Sequence, residues 1–164
     1  MTRVCLAPAE ILHGATCGAM RCVQNIKKQR QHRYGAEDES VWHTNINGAL
    51  GEIAVAKFLG RYWDGMGALG DLHALDVRGV NVRWAAKDWY HLLLHPADPN
   101  DVPFVHVTGD APHYVLHGWI LARDGKVDQF WKDPTGNRPA FFVPASALLP
   151  MSTLAAFLSD GGAE

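Results

Sequence analysis

What this sequence lacks narrows it first. Its 164 residues include only three cysteines, Cys5, Cys17 and Cys22, all near the N-terminus and with no C-x-x-C pair. An odd cysteine count behind "MTRVCLAPAE", which has no sustained apolar core, leads one to expect a reducing, cytoplasmic compartment and no disulfides. Long apolar runs are missing too: no stretch approaches the roughly 18 residues that a membrane-spanning helix needs. Neither charge sign dominates, with 15 Lys plus Arg against 17 Asp plus Glu and a net charge of −2. Attraction for a polyanion would therefore have to come from a local patch.

Several catalytic signatures are absent as well. No G-x-S-x-G occurs, so a serine-hydrolase elbow is not indicated. His13 and Cys17 stand four apart in a helical stretch, but no second pair with zinc spacing accompanies them, so a packed or surface pair is expected. The nine histidines are scattered, and no single general base stands out. "GMGALG", residues 65 to 70, spells a dinucleotide-binding turn. That turn needs a strand before it and a helix after it, whereas here a helix precedes, so a plain glycine loop is the expectation.

What is present reads as one globular α+β domain spanning residues 1 to 164, with 48% hydrophobic and 20% charged residues. From Pro8 to about Gln29 the apolar set Ile11, Leu12, Ala15, Ala19, Met20, Val23 and Ile26 recurs at three and four residues, predicting a helix with that stripe buried. It runs into "KKQRQHR", where Lys27, Lys28, Arg30 and Arg33 are either a solvated helix end that complements the macrodipole or a phosphate-contacting patch. A second helix is expected from an N-cap at Asn45 to a stop at Gly60. Short β-rich runs follow, "HALDVRG", "VNVRWAAK", "WYHLLLH", "PFVHVT", "YVLHGWILA" and "PAFFV", and then a short C-terminal helix capped at Ser152.

Two places invite chemistry. On the second helix, Glu52 shares a face with Asn45, Gly48, Ala49, Val55, Ala56 and Leu59, while Lys57 points away. A carboxylate among small apolar neighbours is costly to bury without compensation, which either a divalent metal or an arginine partner supplies. The second place is "DVRGVNVRWAAK", residues 76 to 87. With Arg78 and Gly79 as a two-residue turn, Val77 pairs with Val80 and Asp76 faces Asn81. Alternation then puts Val80, Val82 and Trp84 on a core face, and Asn81, Arg83, Ala85 and, if the strand continues that far, Lys87 on a polar face with Asp76. That face is either a site or an ordinary solvent-facing strand side.

The order helical "GALGEIAVAKFLG", hairpin aspartate, then N-x-R on the next strand resembles the PD-(D/E)xK nuclease superfamily, in particular its small phage and prophage members. "GWI" at 118 to 120 and "PAFFVPASAL" at 139 to 148 resemble their closing segments, so that the likeness covers about residues 45 to 149. The resemblance implies a restriction-endonuclease-like fold, with N-terminal helices, a central mixed or antiparallel sheet and a short C-terminal helix. It also implies a nuclease dependent on Mg²⁺ or Mn²⁺ that hydrolyses phosphodiester bonds, in DNA by preference, and it leaves room for a homo-oligomer. Glu52 and Asp76 match the family's carboxylates, Asn81 stands where Glu or Gln is usual, and Arg83 stands where Lys is usual. By the same resemblance Glu52, Asp76 and Asn81 would hold the metal. Arg83 would grip the phosphate, since a guanidinium cannot act as a base, and Lys87 would be the alternative amine. Lys27, Lys28, Arg30, Arg33 and Lys87 would contact nucleic acid, with Trp84, Trp89 or Tyr90 available to stack on bases. The two departures leave a second outcome open: a nuclease-like fold that binds nucleic acid or a protein partner without cleaving.

Overall fold

A computed structural model describes residues 1–27, 41–65, 75–134 and 136–160. Strand β1 (Thr2–Cys5) precedes two long helices, α1 (Pro8–Lys27) and α2 (Val41–Leu59). Then come β2 (Asn81–Ala85), β3 (Leu92–Leu94), β4 (Pro103–Asp110), β5 (His113–Leu121), the single turn α3 (Ala122–Gly125), β6 (Trp131–Lys132), β7 (Ala140–Val143) and α4 (Met151–Asp160). The chain is α+β, as expected. Its principal sheet has the order β1-β5-β4-β2, mixed because β2 runs parallel to β4 while the other pairs are antiparallel. A second, antiparallel sheet has the order β3-β7-β6.

These elements stack in layers, which alternation in the strands explains. Val82, Val105, Val107, Tyr114 and Leu116 point to one face of the principal sheet and pack against α2 residues Leu50, Ile53 and Val55. Phe104 and Ile120 point to the other face and meet Leu92, Leu94 and Val143 of the second sheet. Helix α2 is therefore enclosed between α1 and the sheet, and every residue from Ala49 to Ala56 is buried. Glu52 is the one charged side chain in that buried stretch, so it needs an internal partner. Among the described residues no helix is long and apolar enough to cross a membrane.

Several expectations need correction. Helix α2 begins at Val41, four residues early, and Asn45 is no cap: its side-chain amide donates to the Val41 carbonyl one turn back, at 2.8 Å. Ser152 is likewise inside α4 rather than at its start. The stretch "HALDVRG" forms no strand among its described residues; only the bridge Val77 to Val80 is made, with backbone bonds of 3.0 and 2.7 Å. The two-residue turn itself is as expected, with Gly79 at φ 84° where a side chain would strain the backbone.

The largest correction concerns α1. Of the stripe expected to be buried, Leu12, Met20 and Val23 are 71%, 47% and 41% exposed. The face turned inward carries Gly14, Cys17, Gly18, Arg21 and Cys22 instead. Close packing on α2 is the reason. A Cβ on Gly18 would lie 2.6 Å from the Ile46 Cα, so only glycine lets the helices approach this near. Gly14, Gly18 and Arg21 follow at spacings of four and three, and the close approach brings Arg21 against α2.

Candidate functional site

Arg21 and Glu52 form the centre of the polar interior, and both are nearly closed to solvent, 9% and 5% exposed. The guanidinium grips the carboxylate at two points, Nη1 to Oε1 at 2.6 Å and Nη2 to Oε2 at 2.8 Å. The same Nη2 also reaches the Gly65 carbonyl at 3.3 Å. Trp63, just beyond α2, donates its indole N–H to Glu52 Oε2 at 2.9 Å. Of the two compensations considered for Glu52, the arginine partner is the one present. Burial lifts the Glu52 carboxyl to about 7; Arg21 and Trp63 pull it down while the Asp76 charge pushes it up. Burial lowers the Arg21 guanidinium, and the contact with Glu52 more than reverses this.

Asp76 stands at the open edge of the principal sheet. Because β2 is an edge strand bonded only to β4, a backbone N–H on its free side has no strand partner. Asp76 Oδ2 accepts the N–H of Val82 at 2.8 Å and so satisfies it. It therefore turns to the edge of β2 instead of simply facing Asn81. The Asp76 carboxyl is also raised, chiefly by burial, with the Val82 N–H, Arg83 and Arg21 acting in the opposite sense. Of the proposed site, Glu52 and Asp76 thus lie within electrostatic reach of each other, and Arg83 within reach of Asp76.

Arg83 acts on Asp76 through its charge, but its side-chain hydrogen bond goes elsewhere, and Asn81 is turned the same way as Arg83. Arg83 stands in register with His106 on β4, and so faces away from α2 towards the second sheet. Its guanidinium lies 4.9 Å from the Phe104 ring centroid and donates from Nη2 to Asp98 Oδ1 at 2.9 Å. Asp98 is itself fixed by the backbone N–H of His95 at 2.8 Å. Asn81 shares the parity of Arg83 and the same face. Strand β2 ends at Ala85, so the argument that would aim Lys87 at the site by strand alternation fails. Lys87 is exposed, with its ammonium 6.0 Å from the Trp89 ring centroid. Lys27 is exposed at the end of α1, whereas Lys28, Arg30 and Arg33 lie outside the described residues, as do all of "GMGALG" but Gly65.

Beneath the β2–β3 connection is a polar cluster that sequence reasoning missed. His106 is wholly buried and donates Nε2–H to the Tyr90 carbonyl at 3.0 Å. The Thr108 hydroxyl donates to Asp88 and accepts from His117 Nε2 at 2.8 Å. Burial, then the neighbouring His117, hold the His106 imidazole down at about 4, so it is neutral near neutral pH. Arg21, Trp63 and Asp98 were also missed. For Arg21 a signal existed: a cation at helical spacing from Gly14 and Gly18. For the others the sequence offers none.

The donor set can be tested against the divalent cation that the resemblance implies. Such an ion takes oxygen lone pairs from several ligands at short range. Glu52 already spends one oxygen on Arg21 and the other on Arg21 and Trp63, and Asp76 spends one on Val82. Asn81, the third proposed ligand, faces the opposite side of the sheet. Among the described residues no three His, Cys, Asp or Glu side chains converge as a metal ion requires. As placed, the residues do not fit a divalent cation; a guanidinium supplies the positive charge instead. No family model, no curated protein and no solved structure matches this chain.

Proposed function

We propose that this chain is a nuclease-like protein that binds nucleic acid without hydrolysing it. The observation that carries the non-hydrolytic part is the two-point contact of Arg21 with Glu52, which gives the buried carboxylate an internal cation. The nucleic-acid part, and with it a restriction-endonuclease-like fold, is supported by the order helix glutamate, edge aspartate, N-x-R strand. Lys87, exposed just beyond β2, would supply local positive charge on a chain whose net charge is −2.

One observation favours a second reading, a nuclease dependent on Mg²⁺ or Mn²⁺ acting on DNA. Burial raises both the Glu52 and the Asp76 carboxyl, and the Asp76 charge raises Glu52 further, as happens to carboxylates in functional sites. For that reading Arg21 has to release Glu52.

Incubation of the protein with supercoiled, linear and single-stranded DNA in Mg²⁺ or Mn²⁺, beside Glu52→Gln and Asp76→Asn, separates the two. Retardation with every DNA left intact is the expected result. Cleavage that both substitutions abolish would overturn the proposal in favour of the nuclease. Absence of both retardation and cleavage would overturn both readings and direct the search to a protein partner.

A further inference from the structure

We infer that the connection between β2 and β3, Lys87 to Tyr90, is a stacking platform for single-stranded nucleic acid; the inference rests on the proposed nucleic-acid reading and narrows its ligand. Trp89 is 73% exposed and Tyr90 49%, two large rings left in water side by side. They meet edge to face, with centroids 6.2 Å apart and planes at 78°, so most of the indole stays open to solvent. Lys87 places its ammonium beside the same indole. Exposed aromatic rings flanked by a cation match a base and its phosphate.

The platform is fastened from below, which distinguishes it from a loose loop. The Tyr90 backbone N–H closes the turn on the Lys87 carbonyl at 3.0 Å. The Tyr90 carbonyl is held by buried His106, and the Asp88 side chain by buried Thr108, which His117 braces. Burying an imidazole and a hydroxyl is costly unless they are hydrogen-bonded, and here their bonds are made to this connection. The backbone that carries the rings is thereby held in place before any ligand arrives.

A single strand is the occupant that suits this chemistry. A duplex hides its base faces, whereas unstacked bases offer them to an indole or a phenol. Among the described residues Lys87 is the cation at the platform, with Asp88 beside it and Arg83 already paired with Asp98, so few phosphates can be neutralised. Affinity should then come mainly from stacking, with a shallow dependence on salt.

Fluorescence anisotropy with labelled oligothymidylate, oligoadenylate and a matching duplex, all in EDTA, tests the inference. Wild type should prefer the single strands, and Trp89→Ala and Tyr90→Ala should each weaken that binding roughly ten-fold. Lys87→Ala should reduce the salt slope by about 0.7. Trp131→Ala, which removes an exposed ring from β6, should leave binding unchanged, and the melting temperatures of the platform variants should match wild type because the rings are exposed. If wild type binds nucleic acid but both ring variants bind equally well, the platform is wrong and the broader reading survives. Equal or stronger binding of duplex, insensitive to both rings, likewise overturns the platform alone. If wild type binds neither form, both fall.

Discussion

Replacing Arg21 by methionine removes the guanidinium but keeps most of the stem, and the outcome can be worked from the geometry. The partner left behind, Glu52, is 5% exposed and keeps one donor, the Trp63 indole, with the Asp76 charge still nearby. At about 4 Å between charge centres and an effective dielectric constant of about 20, the lost attraction is about 4 kcal/mol. That lies within the range of about 3–5 kcal/mol found when one partner of a buried pair is deleted. For a chain of this length such a loss lowers the melting temperature by about 8–16 °C. The penalty should depend on pH. Glu52 titrates at about 7 with Arg21 present, and without it the carboxyl is raised further. A raised folded value means that the folded state holds its proton longer than the unfolded chain does. Stability is therefore retained at low pH and lost as pH climbs through the folded value, by up to about 1.4 kcal/mol per pH unit. Urea unfolding at about pH 5 and about pH 8 should show a small penalty in the first and the larger one in the second. Adding Glu52→Gln to Arg21→Met should recover much of the loss. A penalty below about 1 kcal/mol at both pH values, or strict additivity of the two substitutions, would refute the internal-cation argument.

Two further outcomes follow from the packing and the polar cluster. Gly18→Ala drives a Cβ to 2.6 Å from the Ile46 Cα, so it should destabilise by more than about 1 kcal/mol despite alanine's better helix propensity. Gly48→Ala, which meets nothing within 4 Å, should be neutral or stabilising; similar thermal shifts for the pair would sink the close-packing explanation. His106, held at about 4 against an ordinary 6.5, gives stability that is present above pH 6.5 and lost as pH falls through 4. The loss amounts to about 3 kcal/mol at most. His106→Gln should flatten that limb of the stability profile, and identical acid limbs would show that the histidine is not the titrating group.

The sequence disclosed those parts of the fold that local rules govern. Strands β4, β5 and β7 are apolar enough to be read directly, Gly60 ends α2 with its left-handed φ, and Gly79 turns the chain between Val77 and Val80. What it hid depends on partners distant in the chain. Strand β1 is four residues of mixed burial whose identity comes from pairing with β5. The inward face of α1 was missed because hydrophobicity pointed one way and glycine packing another, and the packing won. The parity of Asn81 and Arg83 was legible. Their separation from Glu52 was not, because β2 pairs in parallel with β4, more than twenty residues on, instead of with its own turn.

Charge balance around β2 ties these observations together. Two guanidiniums, Arg21 and Arg83, stand against three carboxylates, Glu52, Asp76 and Asp98, with Glu52 partly neutral near pH 7. The group is thus close to neutral before any ion or ligand arrives. Adding a divalent cation would leave an excess of positive charge in a poorly solvated place, which is costly unless a guanidinium leaves. Entry of a metal and departure of Arg21 from Glu52 are therefore one event, and Arg21→Met uncouples them. If Mn²⁺ raises the melting temperature of Arg21→Met but not of wild type, Arg21 is what keeps the ion out, since a ligand stabilises only the state that binds it. If neither protein responds, the two carboxylates lack the remaining ligands even when vacated, and the non-hydrolytic reading holds on the donor set alone.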